Sequence, residues 1–157
     1  MIQLIYDKDT TYKTNYIYLN LKNYLTSDFE QSDGFLVNLR SLFTNRDAFI
    51  QAVATYTDTY FNDRYIRLTI FLSPTQYLPL LATVKMATPE RNMGLYEIEV
   101  YQNVGGSNTN PDASGVKKLY DGLANVVGAS GSESVTYTEY TANPSTYNNE
   151  NVYLTID

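Results

Sequence analysis

The chain contains no cysteine, no histidine and no tryptophan in 157 residues. Without cysteine there is no disulfide, no thiolate nucleophile and no thiolate-bound metal. Without histidine the commonest general base and the commonest transition-metal ligand are missing, which excludes His-containing triads and His-ligated zinc. Charge is sparse at 18%, so the surface must be largely neutral polar: Thr, Asn, Ser and Tyr. Basic residues are outnumbered, 11 Lys and Arg against 17 Asp and Glu, for a net charge of −6 and a pI near 4.5. Nucleic-acid binding needs a basic footprint, so no nucleic-acid partner is expected, and Arg40, Arg46, Arg64 and Arg67 read as solvated or carboxylate-paired residues. No run approaches the roughly 18–20 apolar residues of a membrane span. The opening MIQLIYDKDTTYK lacks a positive segment followed by an apolar run, so it does not read as a secretory signal. A protein made in the cytosol and remaining soluble is the expectation.

What the chain does have is 43% hydrophobic residues and 16 Tyr against 6 Phe. Tyr and Thr favour pleated, half-buried surfaces. The length suits one domain with a real core, residues 1–157, with residues 1–12 readable as a docking strand or arm. The clearest pattern is a pair of alternating segments, Asp63–Leu72 and Gly94–Gln102. In the first, Ile66, Leu68, Ile70 and Leu72 alternate with Tyr65, Arg67, Thr69 and Phe71. In the second, Tyr96, Ile98 and Val100 alternate with Leu95, Glu97, Glu99 and Tyr101. A period of two sends neighbours to opposite faces of a sheet. If the two strands are neighbours, Arg67 faces Glu97 or Glu99 across them.

The rest follows the same rule. Met1–Tyr6 reads as an opening strand, and Lys13–Leu21 turns Ile17, Leu19 and Leu21 inward and Tyr16, Tyr18 and Asn20 outward. Leu25–Gly34 is a loop; Phe35–Phe43 is a strand with Phe35, Val37 and Leu39 on one face and Asn38 and Arg40 on the other. Asn45–Asp58 fits either a helix capped by Asn45 or a strand, and its β neighbours favour the strand. Ser73–Pro79 is a turn, Leu80–Ala87 a strand, Thr88–Met93 a loop, and the Gly- and Asn-rich Asn103–Gly115 an exposed loop that a partner would order. Val116–Val127 reads as two short strands around the turn pair Asp121–Gly122, or as one bulged strand. After the loop Gly128–Ser132, Glu133–Ala142 and Asn151–Ile156 close the chain as strands around Asn143–Asn149. Eight to ten short strands with long loops predict an all-β fold, a single antiparallel β-sandwich of immunoglobulin-like type.

Chemistry is harder to find. Asp7–Lys8–Asp9 and Asp28–Glu30–Asp33 crowd carboxylates into loops, but neither follows the calcium-loop spacing, so solvated loops are the default and no metal is expected. Glu97 and Glu99 share a strand face about 7 Å apart by pleat geometry, a separation that would suit glycoside chemistry, but same-face carboxylates on strands usually just face water, and that is the reading taken. Gly105–Gly106 lacks the Lys and the strand-to-helix setting of a phosphate loop. Outward Tyr16, Tyr18, Tyr65 and Tyr101 fit either a sugar platform or cross-strand packing. No catalytic residue and no cofactor are expected.

Several of these segments also carry a resemblance. Arg64, Tyr65 and Ile70, then Gly94, Tyr96, Val100 and Tyr101, then Leu119, Gly122 and Val126, then Val152 and Tyr153 occur in an order that resembles small β-sandwich virion proteins of tailed phages. The likeness is to those of Bacteroidetes phages, the crAss-like group among them, and covers Phe35 to Asp157. It implies a non-enzymatic structural role in a virion made in the host cytoplasm: an auxiliary or decoration protein on the capsid shell, or a neck or tail component. The implied partners are other virion proteins, the major capsid protein first, with many copies on a symmetric assembly and no membrane or nucleic acid. The residues expected to touch a partner are Ile2, Leu4, Tyr6, Tyr16, Tyr18, Asn108, Asn110 and Tyr147, from termini, loops and the outward strand face. A carbohydrate-binding adhesin module built on the same tyrosines is the alternative.

Overall fold

Alternating residues become strands wherever the apolar set finds a shared core. A computed structural model describes residues 1–30, 33–54, 65–86, 93–129, 137–139 and 154–156. In chain order the strands are β1 (Ile2–Tyr6), β2 (Lys13–Leu19), β3 (Gly34–Ser41), β4 (Phe49–Ala54), β5 (Ile66–Ser73), β6 (Thr83–Lys85), β7 (Gly94–Asn103), β8 (Val116–Gly128), β9 (Tyr137–Glu139) and β10 (Leu154–Ile156). No α-helix occurs among the described residues; two short 3-10 turns, Lys22–Tyr24 and Pro79–Leu81, are the helical pieces. The protein is all-β. The expected closing strands survive as the β9–β10 antiparallel pair. Arg64, Tyr147, Val152, Tyr153 and the loop Asn143–Asn149 lie outside the described residues.

The main sheet runs β1-β8-β7-β3-β4-β5-β2, with β6 added to β5. It is mixed rather than purely antiparallel, because β1 lies parallel to β8 and β6 parallel to β5. β4 turns the corner between two layers. Phe49–Ala52 pairs with β3, whereas Val53 and Ala54 pair with β5. A strand that changes partners midway lets one sheet fold over a core. Inward residues from both layers meet there, among them Leu4, Phe35, Val37, Tyr96 and Val100 from one side and Ile17, Leu68 and Ile70 from the other.

The two end strands of that order, β1 and β2, come together without a ladder. Asn15 in β2 closes the gap instead. Its Oδ1 accepts the Ile5 N–H at 2.6 Å and its Nδ2 donates to the Ile5 carbonyl at 3.0 Å, so one side chain supplies the two bonds a neighbouring strand would make.

Several expectations need correcting. β5 and β7 are not neighbours, since β3 and β4 lie between them. Arg40, not Arg67, therefore sits opposite Glu97, with Nη1 3.5 Å from Oε2. Leu4 and Tyr6 cannot serve as a docking arm: parallel pairing with β8 turns both into the core, where they are buried. Asn45 is a left-handed turn residue (φ 56°) and no helix cap, and the strand reading of its segment holds for Phe49–Ala54. The strand expected from Leu80 begins at Thr83, because Pro79–Leu81 forms a 3-10 turn and Ala82 adopts φ 54°. Asp121–Gly122 is no turn. The bulged-strand reading holds instead: β8 is continuous with an irregularity opposite Val100/Tyr101, and at Gly122 a Cβ would crowd the Tyr120 hydroxyl, the movable end of that side chain.

Candidate functional site

Two outer faces carry the residues capable of meeting a ligand or partner. The first lies on β2 and β5. Because Asn15, Ile17 and Leu19 point inward, Tyr16 and Tyr18 must point outward, and both are more than half exposed. Register places Tyr16 beside Thr69, Tyr18 beside Arg67 and Thr14 beside Phe71. Arg67 leans back over the Tyr16 ring, its guanidinium carbon 4.9 Å from the centroid. Tyr12 meets Phe71 edge-on at 5.2 Å.

Next to this row an arch is folded over the strands. Leu78 and Thr83 exchange backbone hydrogen bonds of 3.0 and 3.1 Å, and the 3-10 turn between them presents Leu80 (66% exposed) and Leu81 (59%) to solvent. Ser73 anchors its root, donating to the Thr11 carbonyl and accepting the Thr75 and Gln76 N–H groups. Between arch and strands opens a pocket of about 280 Å³, lined by Tyr12, Phe71, Gln76, Leu78, Leu81 and Thr83. Its walls are mostly apolar and hold no ionisable acid or base other than the Tyr12 phenol. Among the described residues, segments 10–21 and 65–86 contain no carboxylate; of their three cations, Lys13 shares the inward alternation of Asn15 and Ile17, and Arg67 and Lys85 stand on the outward one.

The second face is the outside of β3, β7 and β8. Glu99 is its hub, accepting hydrogen bonds from Lys118, from Asn38 Nδ2 at 3.0 Å and from the Tyr101 hydroxyl at 2.9 Å. Asn38 also donates to Asp47 and accepts the Ala48 N–H, which ties the hub to the β3–β4 turn. Burial alone would raise the Glu99 carboxyl. The bonds from Lys118, Asn38 and Tyr101 and the Lys118 charge outweigh it and hold the group below its ordinary value. Tyr101 is pushed up to about 12 by burial and by its bond to the carboxylate, and Lys118 is raised mainly by its bond to Glu99. Around the hub, Ile5, Leu42, Leu95 and Leu123 are partly exposed and Phe43 is 74% exposed. Phe43 rests on Gly94, where a Cβ would come within 2.8 Å of the ring.

A carboxyl that donates a proton at neutral pH needs a raised pKa. Glu99 is shifted the other way and its oxygens are already committed, while Glu97 pairs with Arg40. Among the described residues, no group of three or more His, Cys, Asp or Glu is placed to hold a metal ion. No helix among them is long and apolar enough to cross a membrane.

The structure brings Tyr16 and Tyr18 together and, among the described residues, separates them from the others expected to touch a partner. Ile2 is half-buried at the start of β1. Asn108 and Asn110 sit in the loop 104–115, which is braced from within. Asn103 Nδ2 donates to the Asn108 carbonyl at 2.8 Å, and Asn110 Oδ1 accepts the Asp112 N–H at 3.0 Å. Asp33 also accepts the Gly105 N–H at 2.8 Å, which ties the loop to the start of β3. Sequence reasoning missed the Leu78–Leu81 arch and Phe43. The available signal was a leucine-rich run, YLPLL, broken by a proline that cannot continue a central strand.

What fold and faces define together is an all-β protein with two chemically unlike outer surfaces, one with a tyrosine row beside an exposed leucine arch, the other with the Glu99 hub among partly exposed apolar side chains. No protein-family model, no curated protein and no solved structure matches the chain.

Proposed function

We propose that the chain is a non-enzymatic structural protein of a virion, an auxiliary or decoration protein that binds other virion proteins in many copies, the major capsid protein first. The observation that carries the reading is the arch. Leucines 66% and 59% exposed are held on a hydrogen-bonded turn, a device for burial against another surface rather than for turnover. The saturated Glu99 hub adds support, since its groups are fixed in pairs instead of being poised for proton transfer. On this reading the two layers joined at β4 are the halves of an immunoglobulin-like sandwich, and repetition on a symmetric shell multiplies a modest contact into lasting attachment.

A sugar platform is less well served by the same face, because Arg67 already occupies the Tyr16 ring on which a sugar would stack. The test is mass spectrometry of purified particles followed by density for this chain. Density on the shell is expected. Density at the neck or tail would move the role within the virion, and particles without the chain would end the reading.

A further inference from the structure

The space under the arch is formed before anything enters it. Leu78 and Thr83 close the arch with two backbone hydrogen bonds, and the Leu81 and Ala82 N–H groups bond back to the Leu78 and Pro79 carbonyls. The Tyr77 hydroxyl donates to the Phe49 carbonyl at 3.2 Å, and Ser73 holds the root against Thr11. Fixed walls leave a ligand little reorganisation to drive. Size narrows the choice of ligand. At about 280 Å³ the cavity offers nearly twice the roughly 150 Å³ that admits benzene in an apolar cavity, yet it falls just below the roughly 300 Å³ at which drug-sized pockets begin. One ring or two fused rings fit; a nucleotide or an oligosaccharide does not.

The walls narrow it further. Leu78, Leu81 and the rings of Tyr12 and Phe71 supply apolar surface, and the two rings stand 75° apart. A third ring can lie against the face of one and meet the other edge-on, the two arrangements that aromatic quadrupoles favour. None of the lining residues is Lys, Arg, Asp or Glu, so a charged ligand would leave water without a counter-charge. The Thr83 hydroxyl is already donated to the Leu81 carbonyl, which leaves the Tyr12 hydroxyl and the Gln76 amide to bond a ligand. Two such groups suit a molecule with one polar atom; a sugar would have its remaining hydroxyls stranded. We infer that this cavity is a binding site for a small uncharged aromatic molecule of the indole or phenol class. The site does not depend on a virion role, because its walls belong to one chain.

Titration of the purified chain with indole, followed by amide and methyl NMR, tests it. Resonances of Leu78, Leu81 and Thr83 should move along one saturable curve, half-complete on the order of 1 mM for a ligand of this size. Those of Leu95 and Leu123 on the β3–β7–β8 face should stay in place, and glucose over the same range should move none of them. Tyr12→Ala and Leu81→Asn each remove a wall at an exposed position, and each should weaken binding by about fivefold or more. Leu80→Asn changes an exposed leucine of the same arch that does not line the cavity, and should bind indole as the parent does. Far-UV circular dichroism matching the parent shows that each variant is folded. Indole that moves no cavity resonance, or moves both faces alike without saturating, overturns the site. So does glucose acting like indole, a pair of wall variants that bind like the parent, or a Leu80→Asn loss as large as theirs.

Discussion

Asn15 shows how much of this fold rests on single polar side chains. Its amide takes both backbone groups of Ile5, so Asn15→Ala would leave an N–H and a C=O without partners at the seam between the layers. The expected cost is about 2–3 kcal/mol, read as a lower urea midpoint at unchanged slope. Asn15→Asp keeps the shape and loses the donor. It should be weakest above the carboxyl titration and partly recover in acid, where a protonated oxygen donates to the Ile5 carbonyl. The Glu99 hub makes the second pH statement. Its carboxyl lies below the ordinary 4.5 in the folded chain, so its contribution is complete above that value and is lost as pH falls through the folded one. Tyr101 runs oppositely. It is raised from 10 to about 12, so its contribution is complete below pH 10 and is lost as pH climbs toward the upper value. Denaturation followed across pH should show both limbs, and Glu99→Gln should flatten the acid limb and return Tyr101 toward 10. If the two limbs are unchanged in Glu99→Gln, the hub is not their source.

Among the elements, the arch stands on Ala82, whose φ of 54° is a conformation that a side chain pays for. The methyl is fully buried, so Ala82→Gly removes packing and strain together and should change stability by less than about 0.5 kcal/mol. Ala124→Gly, equally buried but in extended β8, loses packing and chain stiffness with no strain to recover, and should cost about 1–2 kcal/mol. Equal losses in two thermal melts would show that Ala82 carries no strain. This element also marks where the sequence stops being legible. Strands such as β2, β3, β5 and β7 could be read from alternation because a buried face forces a period of two. Leu80 and Leu81 break the rule in the opposite sense, as apolar residues facing water, and no local pattern says which face they will occupy. Partner strands were equally hidden. Alternation tells Arg67 which way to point, but the register that gives Glu97 to Arg40 depends on two intervening strands.

Over the whole molecule, the placement of β1 decides between an arm and a structural strand. A detachable arm would expose its apolar residues in turn, whereas Leu4 and Tyr6 are buried and five consecutive residues pair in parallel with β8. Parallel pairing closes a loop of more than a hundred residues between β1 and β8, an entropy cost offset by the apolar residues it buries. Leu4→Ala should therefore cost about 3 kcal/mol, near the middle of the range for buried leucines. Deleting residues 1–7 should do more. It uncovers the edge of β8 over Ala124–Gly128, removes the acceptor and donor that Asn15 serves, and opens the core to water at the seam. The truncated chain is expected to bind a hydrophobic dye and to lose its cooperative urea transition. A truncated chain that melts like the parent would make β1 an accessory, and the seam at Asn15 would then not be what holds the two layers closed.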